Sequence, residues 1–195
     1  MKYYKKFIGE RVYLSPMNID DVNKYVEWIS DPLVSDGMGS SSNLLNIFSE
    51  KDINSNFEKE FLTNALKNGD KCFAIVLLEN DKLLGNCSIY IKDKMRFSGE
   101  IGIFIGDSNY RCNGYGKEAL NLLLDYGFNY LNLDNIYLEV ISFNEIAINC
   151  YKNVAFRETY RYRENYFLNG KYYDTIYMKI LKSEFIGNYI NNKNI

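Results

Sequence analysis

The chain contains no histidine, only two prolines and one tryptophan, and no apolar run approaching the roughly 20 residues that cross a bilayer. Without histidine, Ser-His and Cys-His nucleophile pairs and His-bound metal centres are excluded, so proton transfer falls to carboxylates, tyrosine, lysine or cysteine. The four cysteines, Cys72, Cys87, Cys112 and Cys150, form no Cys-x-x-Cys pair and have no metal-ligand spacing. Free thiols in a reducing compartment are the simplest account, and no metal is expected. A net charge of −2 over 195 residues leaves no general basic face for nucleic acid or anionic membrane. The segment Met1-Lys-Tyr-Tyr-Lys-Lys-Phe-Ile-Gly9 lacks the apolar stretch of a secretory signal. Together these absences predict a cytoplasmic protein that binds neither nucleic acid nor membrane.

What is present points to one sizeable core: 47% of residues are hydrophobic and 16% aromatic. The expectation is a single domain over 1–183 with a peripheral tail over 184–195. Arg11-Val-Tyr-Leu14 reads as a first strand, and Asn18 or Asp20 can cap a helix running to Ile29 that Asp31-Pro32 stops. From Val34 to Asn56 periodicity is lost, and Phe57, Phe61, Leu62, Ala65 and Leu66 then recover helical spacing before Gly69. Residues 72–78 and 83–91 flank Glu79-Asn80-Asp81 as a hairpin, with 99–106 as the next strand. A helix to about Tyr130, a strand over 136–141 and a short helix over 144–153 follow. Two closing strands, 156–167 and 172–182, are joined by Asn169-Gly170, the strongest short hairpin signal.

The informative stretch is the strand ending at Gly106, followed by Arg111-Cys-Asn-Gly-Tyr-Gly-Lys117 at the start of a helix. Glycines there let the backbone approach an anion, which the free N–H groups and the positive end of the helix dipole bind. A P-loop is excluded, because Glu118 follows Gly116-Lys117 and residue 111, where its first glycine belongs, is arginine. Gly114-x-Gly116-x-x-Ala119 matches a dinucleotide-binding pattern, yet that motif belongs directly after the first strand of a parallel sheet, and antiparallel hairpins precede it here. The third reading rests on Arg111-x-x-Gly114-x-Gly116, the helix after it, Leu138-Glu139-Val140, Asn144 to Phe156, and the closing hairpin. In these features the chain resembles the GNAT superfamily of acetyl-CoA-dependent N-acetyltransferases, and especially its RimJ/RimL and spermidine acetyltransferase branches.

The resemblance implies an α/β (α+β) GNAT fold: a mixed, mostly antiparallel seven-stranded sheet flanked by about four helices and splayed between its fourth and fifth strands. It further implies that acetyl-CoA is the cosubstrate. The N–H groups of Arg111, Cys112, Asn113, Gly114, Tyr115 and Gly116 would cradle the pyrophosphate, with Lys117 beside them. Ile105 and Gly106 would lend main-chain groups to the pantetheine arm, and an N–H near Gly106 would hold the oxyanion. Glu139 stands where relatives carry a general base, with Glu100 in reserve, although a strand glutamate in an ordinary ion pair is the alternative. Tyr151 would protonate the departing thiolate, against a merely packed ring. Asn144 would cap its helix and contact the arm, or do the capping alone.

This chain departs from the family pattern in two places. Cys112-Asn113 replaces the commoner Gly-Lys, removing a cation that Arg111, Lys117 or Lys152 could replace, and Ala155 stands where many members have glycine. The acceptor is expected to be a primary amine: a polyamine, an aminoglycoside-like amine or a protein N-terminus. Acidic residues between 31 and 60 would suit a polycation or serve only as solubilising charge. A homodimer is compatible with the resemblance. The competing classes are a non-catalytic acyl-CoA sensor on the same fold and a dinucleotide-binding oxidoreductase.

Overall fold

Strand β3, Lys71–Leu77, is buried on both faces from Phe73 to Leu77, as a strand covered by helices on both sides must be. It belongs to a computed structural model that describes residues 2–38, 71–93, 97–185 and 187. Among these residues the sheet also contains β1 Phe7–Ile8, β2 Val12–Pro16, β4 Leu83–Asp93, β5 Ser98–Ile105, β6 Asn135–Ile141, β7 Arg157–Leu168 and β8 Lys171–Leu181. The order is β1-β2-β3-β4-β5-β6-β8-β7, antiparallel throughout except at β5–β6. The sheet thus has eight strands where seven were expected. The extra one, β1, pairs only Phe7 with Leu14 and Ile8 with Tyr13, too short to leave an alternating pattern in the sequence.

Four α-helices are described: α1 Val22–Ile29, α2 Pro32–Gly37, α3 Tyr115–Asp125 and α4 Glu145–Lys152. Asn18 caps a 3₁₀ turn, Ile19–Asp21, that leads into α1. The pair Asp31-Pro32 ends that helical stretch as expected, and it also starts α2. Asp31 Oδ1 accepts the Leu33 N–H at 3.0 Å, and Pro32 occupies the first turn, where its missing N–H has no helical partner to lose. The expected irregular passage from Val34 is therefore helical as far as Gly37 and capped by Met38; its remainder from residue 39, and the helix expected before Gly69, lie outside the described residues. After α3 a π-helical turn, Tyr126–Tyr130, carries the chain to the expected end near Tyr130.

Two apolar layers sandwich the sheet. On one face Leu120, Leu123 and Leu124 of α3 pack on Ile75, Leu84, Ile89, Leu138, Ile176 and Met178. Truncating any one of these fully buried leucines costs about 2–5 kcal/mol. On the other face Tyr25 and Trp28 of α1 cover Tyr13, Ala74, Val76 and Phe104. The closing hairpin turns at Asn169 and Gly170 with φ of 50° and 78°, the left-handed pair that a two-residue turn between twisted strands requires.

The functionally decisive feature is a divergence. β5 and β6 pair in parallel only at Ser98–Asn135, Gly99–Ile136 and Glu100–Tyr137. Beyond that point β6 continues against β8 as far as Ile141–Thr175, while β5 continues against β4 as far as Ile105–Gly85. An opening therefore separates the ends of β5 and β6, the fourth and fifth strands of the sequence reading.

Candidate active site

β5 runs into the opening and ends at Ile105. Asp107 then caps a 3₁₀ turn, Ser108–Tyr110, by accepting the Asn109 N–H at 3.1 Å. Cys112 and Gly114 both take left-handed backbone, with φ of 60° and 84°, and α3 begins at Tyr115 without a side-chain cap. The first helical bond runs from the Glu118 N–H to the Gly114 carbonyl at 3.1 Å. The N–H groups of residues 112–117 meet no acceptor among the described residues. An ordinary helix start leaves about four such donors; here six in succession line a turn, which fits a multiply charged anion such as a pyrophosphate.

Arg111 anchors this turn from below. Its Nε donates to the Ile105 carbonyl at 2.9 Å and its Nη2 to the Gly106 carbonyl at 2.7 Å, while Nη2 lies 3.3 Å from Asp31 Oδ2. The expectation that Arg111 replaces the missing phosphate-side cation is thereby corrected: its guanidinium is engaged in holding the end of β5. Gly106 is corrected as well, because its N–H donates to the Leu84 carbonyl at 2.9 Å and its carbonyl takes Arg111. That bond fixes the ladder's parity, so that the peptide groups of Ile103 and Ile105 face the opening instead. Gly106 has a packing reason to be glycine, since a Cβ there would fall inside the Trp28 indole.

Helix α4 borders the other side of the opening. Asn144 Oδ1 accepts the Ala147 N–H at 3.1 Å, capping α4, and Nδ2 donates to the Gly37 carbonyl at 3.2 Å. Helix α2 therefore spans from Arg111 at its first turn to Asn144 at its last. Tyr151 is buried beside Phe156, with ring centres 6.0 Å apart, and its hydroxyl meets no partner among the described residues. Burial pushes its phenol above the ordinary tyrosine range, so it holds its proton at neutral pH. Helix α4 is in contact with α3, whose first turn follows the glycines, and burial pushes up the thiol of Cys150, one residue before Tyr151. Lys117 and Lys152 are both exposed.

On the opposite face of the sheet Glu139 is exposed between buried Leu138 and Val140, as strand alternation requires. Its cross-strand neighbour Tyr177 has its phenol held in the protonated form by the nearby Glu139 carboxylate, with burial adding to the effect. Glu100 also acts electrostatically on Tyr177. Tyr162 packs against Tyr177 with ring centres 5.5 Å apart, and Tyr160 against Tyr162 at 4.4 Å; both are exposed. These three tyrosines were missed in the sequence, where eighteen tyrosines dilute the signal. The two-residue spacing of Tyr160 and Tyr162 on β7 was the available clue.

Comparison with known proteins agrees with this geometry. Residues 11–157 match the acetyltransferase (GNAT) domain family. An uncharacterised N-acetyltransferase, p20, of Bacillus licheniformis is 28% identical over 91% of this chain and 97% of its own length. The spermidine N(1)-acetyltransferase of Vibrio cholerae is 28% identical over 76% of this chain and 86% of its own. The crystal structure of Vibrio cholerae spermidine N-acetyltransferase in complex with CoA and spermine superposes with a TM-score of 0.76 at 23% identity, covering 89% of this chain and 96% of that one. The chain belongs to the GNAT family of N-acetyltransferases.

Proposed function

We propose that the protein transfers the acetyl group of acetyl-CoA to a primary amine of a polyamine such as spermidine, by direct attack in a ternary complex. The observation that carries this reading is the opening between β5 and β6, bordered by the unpaired N–H groups of residues 112–117 and by Tyr151, with Glu139 on the sheet face behind it. Acetyl-CoA supplies an activated thioester; what remains is position and protons. Residues 112–117, with Tyr115 and Lys117 among them, hold the pyrophosphate, and the outward peptide group of Ile103 and the N–H of Ile105, whose carbonyl Arg111 holds, pair with the amides of the arm. One of those N–H groups takes the oxyanion role first expected near Gly106. Asn144 contributes by fixing α4 and α2 on either side of the arm.

An alkylammonium with a pKa near ~10.4 is almost wholly protonated at pH 7. Glu139 accepts its proton, directly or through water, so that the nitrogen lone pair attacks the thioester carbon. As the C–S bond breaks, Tyr151 passes its proton to the sulfur. The polyamine reading rests on Glu139 and Glu100 beside the rings of Tyr162 and Tyr177, a pairing of carboxylates with aromatic faces that suits alkylammonium groups. The relative named as a spermidine N(1)-acetyltransferase supports it further. We propose one domain over 1–183 with a peripheral tail. Four free cysteines and no helix long and apolar enough to cross a membrane among the described residues suit a cytoplasmic enzyme.

Melting curves with acetyl-CoA, CoA and NAD test the site, because a ligand that binds the native state raises the transition. A rise with both coenzyme A forms and none with NAD is expected. A rise with NAD alone overturns the proposal.

A further inference from the structure

The first turn of α3 contains a carboxylate, Glu118, in a place where its charge would repel a phosphate. The structure neutralises it from a distant part of the chain. Glu118 Oε1 accepts the main-chain N–H groups of Glu10, Arg11 and Val12 at 2.8, 2.7 and 3.1 Å, and Oε2 accepts Arg11 Nε at 3.1 Å. The β1–β2 turn is thereby bound to the start of α3, and Arg11 is laid against the glycine turn. Its Nη1 donates to the Asn113 carbonyl at 3.1 Å, and its guanidinium carbon stands 4.6 Å from the centre of the Tyr115 ring. Nη2 lies 3.0 Å from the place a Cβ on Gly114 would occupy, and its donors meet no acceptor among the described residues.

From this juxtaposition, and resting on the coenzyme A reading above, we infer that Arg11 is a phosphate-binding residue of the cosubstrate site. It is held beside Gly114 so that its free Nη2 edge and the N–H groups of residues 112–117 grip the same pyrophosphate. Two sets of unpaired donors converge on one turn, and a single dianionic group satisfies both. Arg11 thus supplies the cation that Asn113 does not, from a residue about a hundred positions earlier. A planar guanidinium suits the task better than a lysine, because Nε and Nη1 can hold Glu118 and Asn113 while Nη2 stays free. Gly114 is constrained in the same way, since any side chain there would press on Arg11.

Calorimetric titration of the full chain with CoA, dephospho-CoA and pantetheine tests this inference. For Arg11→Ala we expect about tenfold or greater weakening toward CoA and dephospho-CoA alike, since both contain the pyrophosphate, with pantetheine unchanged. Arg11→Lys keeps a charge near Glu118 and protects the test against misfolding; it should weaken CoA by a smaller factor at an unchanged melting temperature. In the wild type the difference between CoA and pantetheine should shrink as salt rises. Unchanged CoA affinity in both variants, or an equal loss for pantetheine, overturns the inference while the coenzyme A reading stands. A wild type that binds no CoA overturns both.

Discussion

Asp31 and Arg111 lie 80 residues apart in sequence, yet Asp31 Oδ2 stands 3.3 Å from Arg111 Nη2 while Asp31 Oδ1 caps α2. One carboxylate thus joins the start of α2 to the root of the glycine turn, and Arg111 passes the connection on to the last two carbonyls of the β5 edge. Replacing Arg111 with lysine keeps the charge but loses the planar fork that reaches three acceptors at once. We expect Arg111→Lys to lower stability by about 1–3 kcal/mol and to raise KM for acetyl-CoA more than it lowers kcat. Urea denaturation and steady-state kinetics on the same preparation check both parts.

Tyr151 holds its proton until the sulfur gains charge as the C–S bond breaks. Removing its hydroxyl in Tyr151→Phe should lower kcat by about 10²–10⁴-fold, the usual worth of a positioned acid, while leaving the acetyl-CoA dissociation constant within twofold or so of the wild type. A merely packed ring would give the opposite pattern, little change in kcat and, with no hydrogen bond lost, an unchanged or raised melting temperature. Rapid-quench and binding measurements separate the two.

Glu139→Gln removes the proton acceptor but not the substrate's own ionisation. Its rate should therefore rise about tenfold per pH unit above neutrality, following the free-amine fraction of a group with pKa near ~10.4, and approach the wild type only in strong alkali. Tyr177→Phe, which removes the hydroxyl opposite Glu139 but not the carboxylate, should cost only a few-fold. A pH–rate profile of both variants is the check, and a Glu139→Gln profile parallel to the wild type would remove Glu139 from the reaction.

Acid stability has a separate origin. Burial alone would push Asp107 up, but the Lys82 ammonium at 2.9 Å and the N–H of Asn109 outweigh it, and the carboxyl lies below its ordinary value. A group depressed in this way stabilises the fold above its unfolded pKa, near ~3.9, and the contribution disappears as pH falls through the folded value. The melting temperature should thus decline below about pH 4, and Asp107→Asn should make that decline shallower. Glu158, held by Arg161, and Asp174, held by the Glu164 N–H and Arg161, shift in the same direction and add to the wild-type slope.

Ala155 occupies the left-handed region at φ 71°, where many family members have glycine. Left-handed backbone costs an L residue about 1–2 kcal/mol, and glycine's extra unfolded-state freedom offsets about half of that. Ala155→Gly should raise the melting temperature by about 2 °C in a scanning calorimeter.

Much of this was readable from the sequence because local rules dictated it. Asn169-Gly170 admits one turn type, the alternation around Glu139 leaves one outward face, and Gly114 with Gly116 before an apolar helix leaves N–H groups free. What the sequence concealed depends on long-range pairing. No local pattern announces that Arg111 turns back onto Ile105 and Gly106, that Gly106 donates to Leu84, or that Glu118 gathers the turn at Glu10–Val12. Helix α2 was hidden for a different reason: a six-residue helix is shorter than the period needed to recognise one, and its proline read only as a stop. The spread of tyrosines likewise masked the three that face Glu139.

The central claim is that this chain moves acetyl groups from acetyl-CoA to a polyamine across the opening between β5 and β6. Its most direct test is thiol release from acetyl-CoA by the purified wild type with spermidine, with the amine product weighed by mass spectrometry. The account predicts one thiol released per spermidine gaining a single acetyl group, and negligible release without the amine. Tight acetyl-CoA binding with neither thiol nor acetylated amine, from spermidine or from any other polyamine, would contradict it.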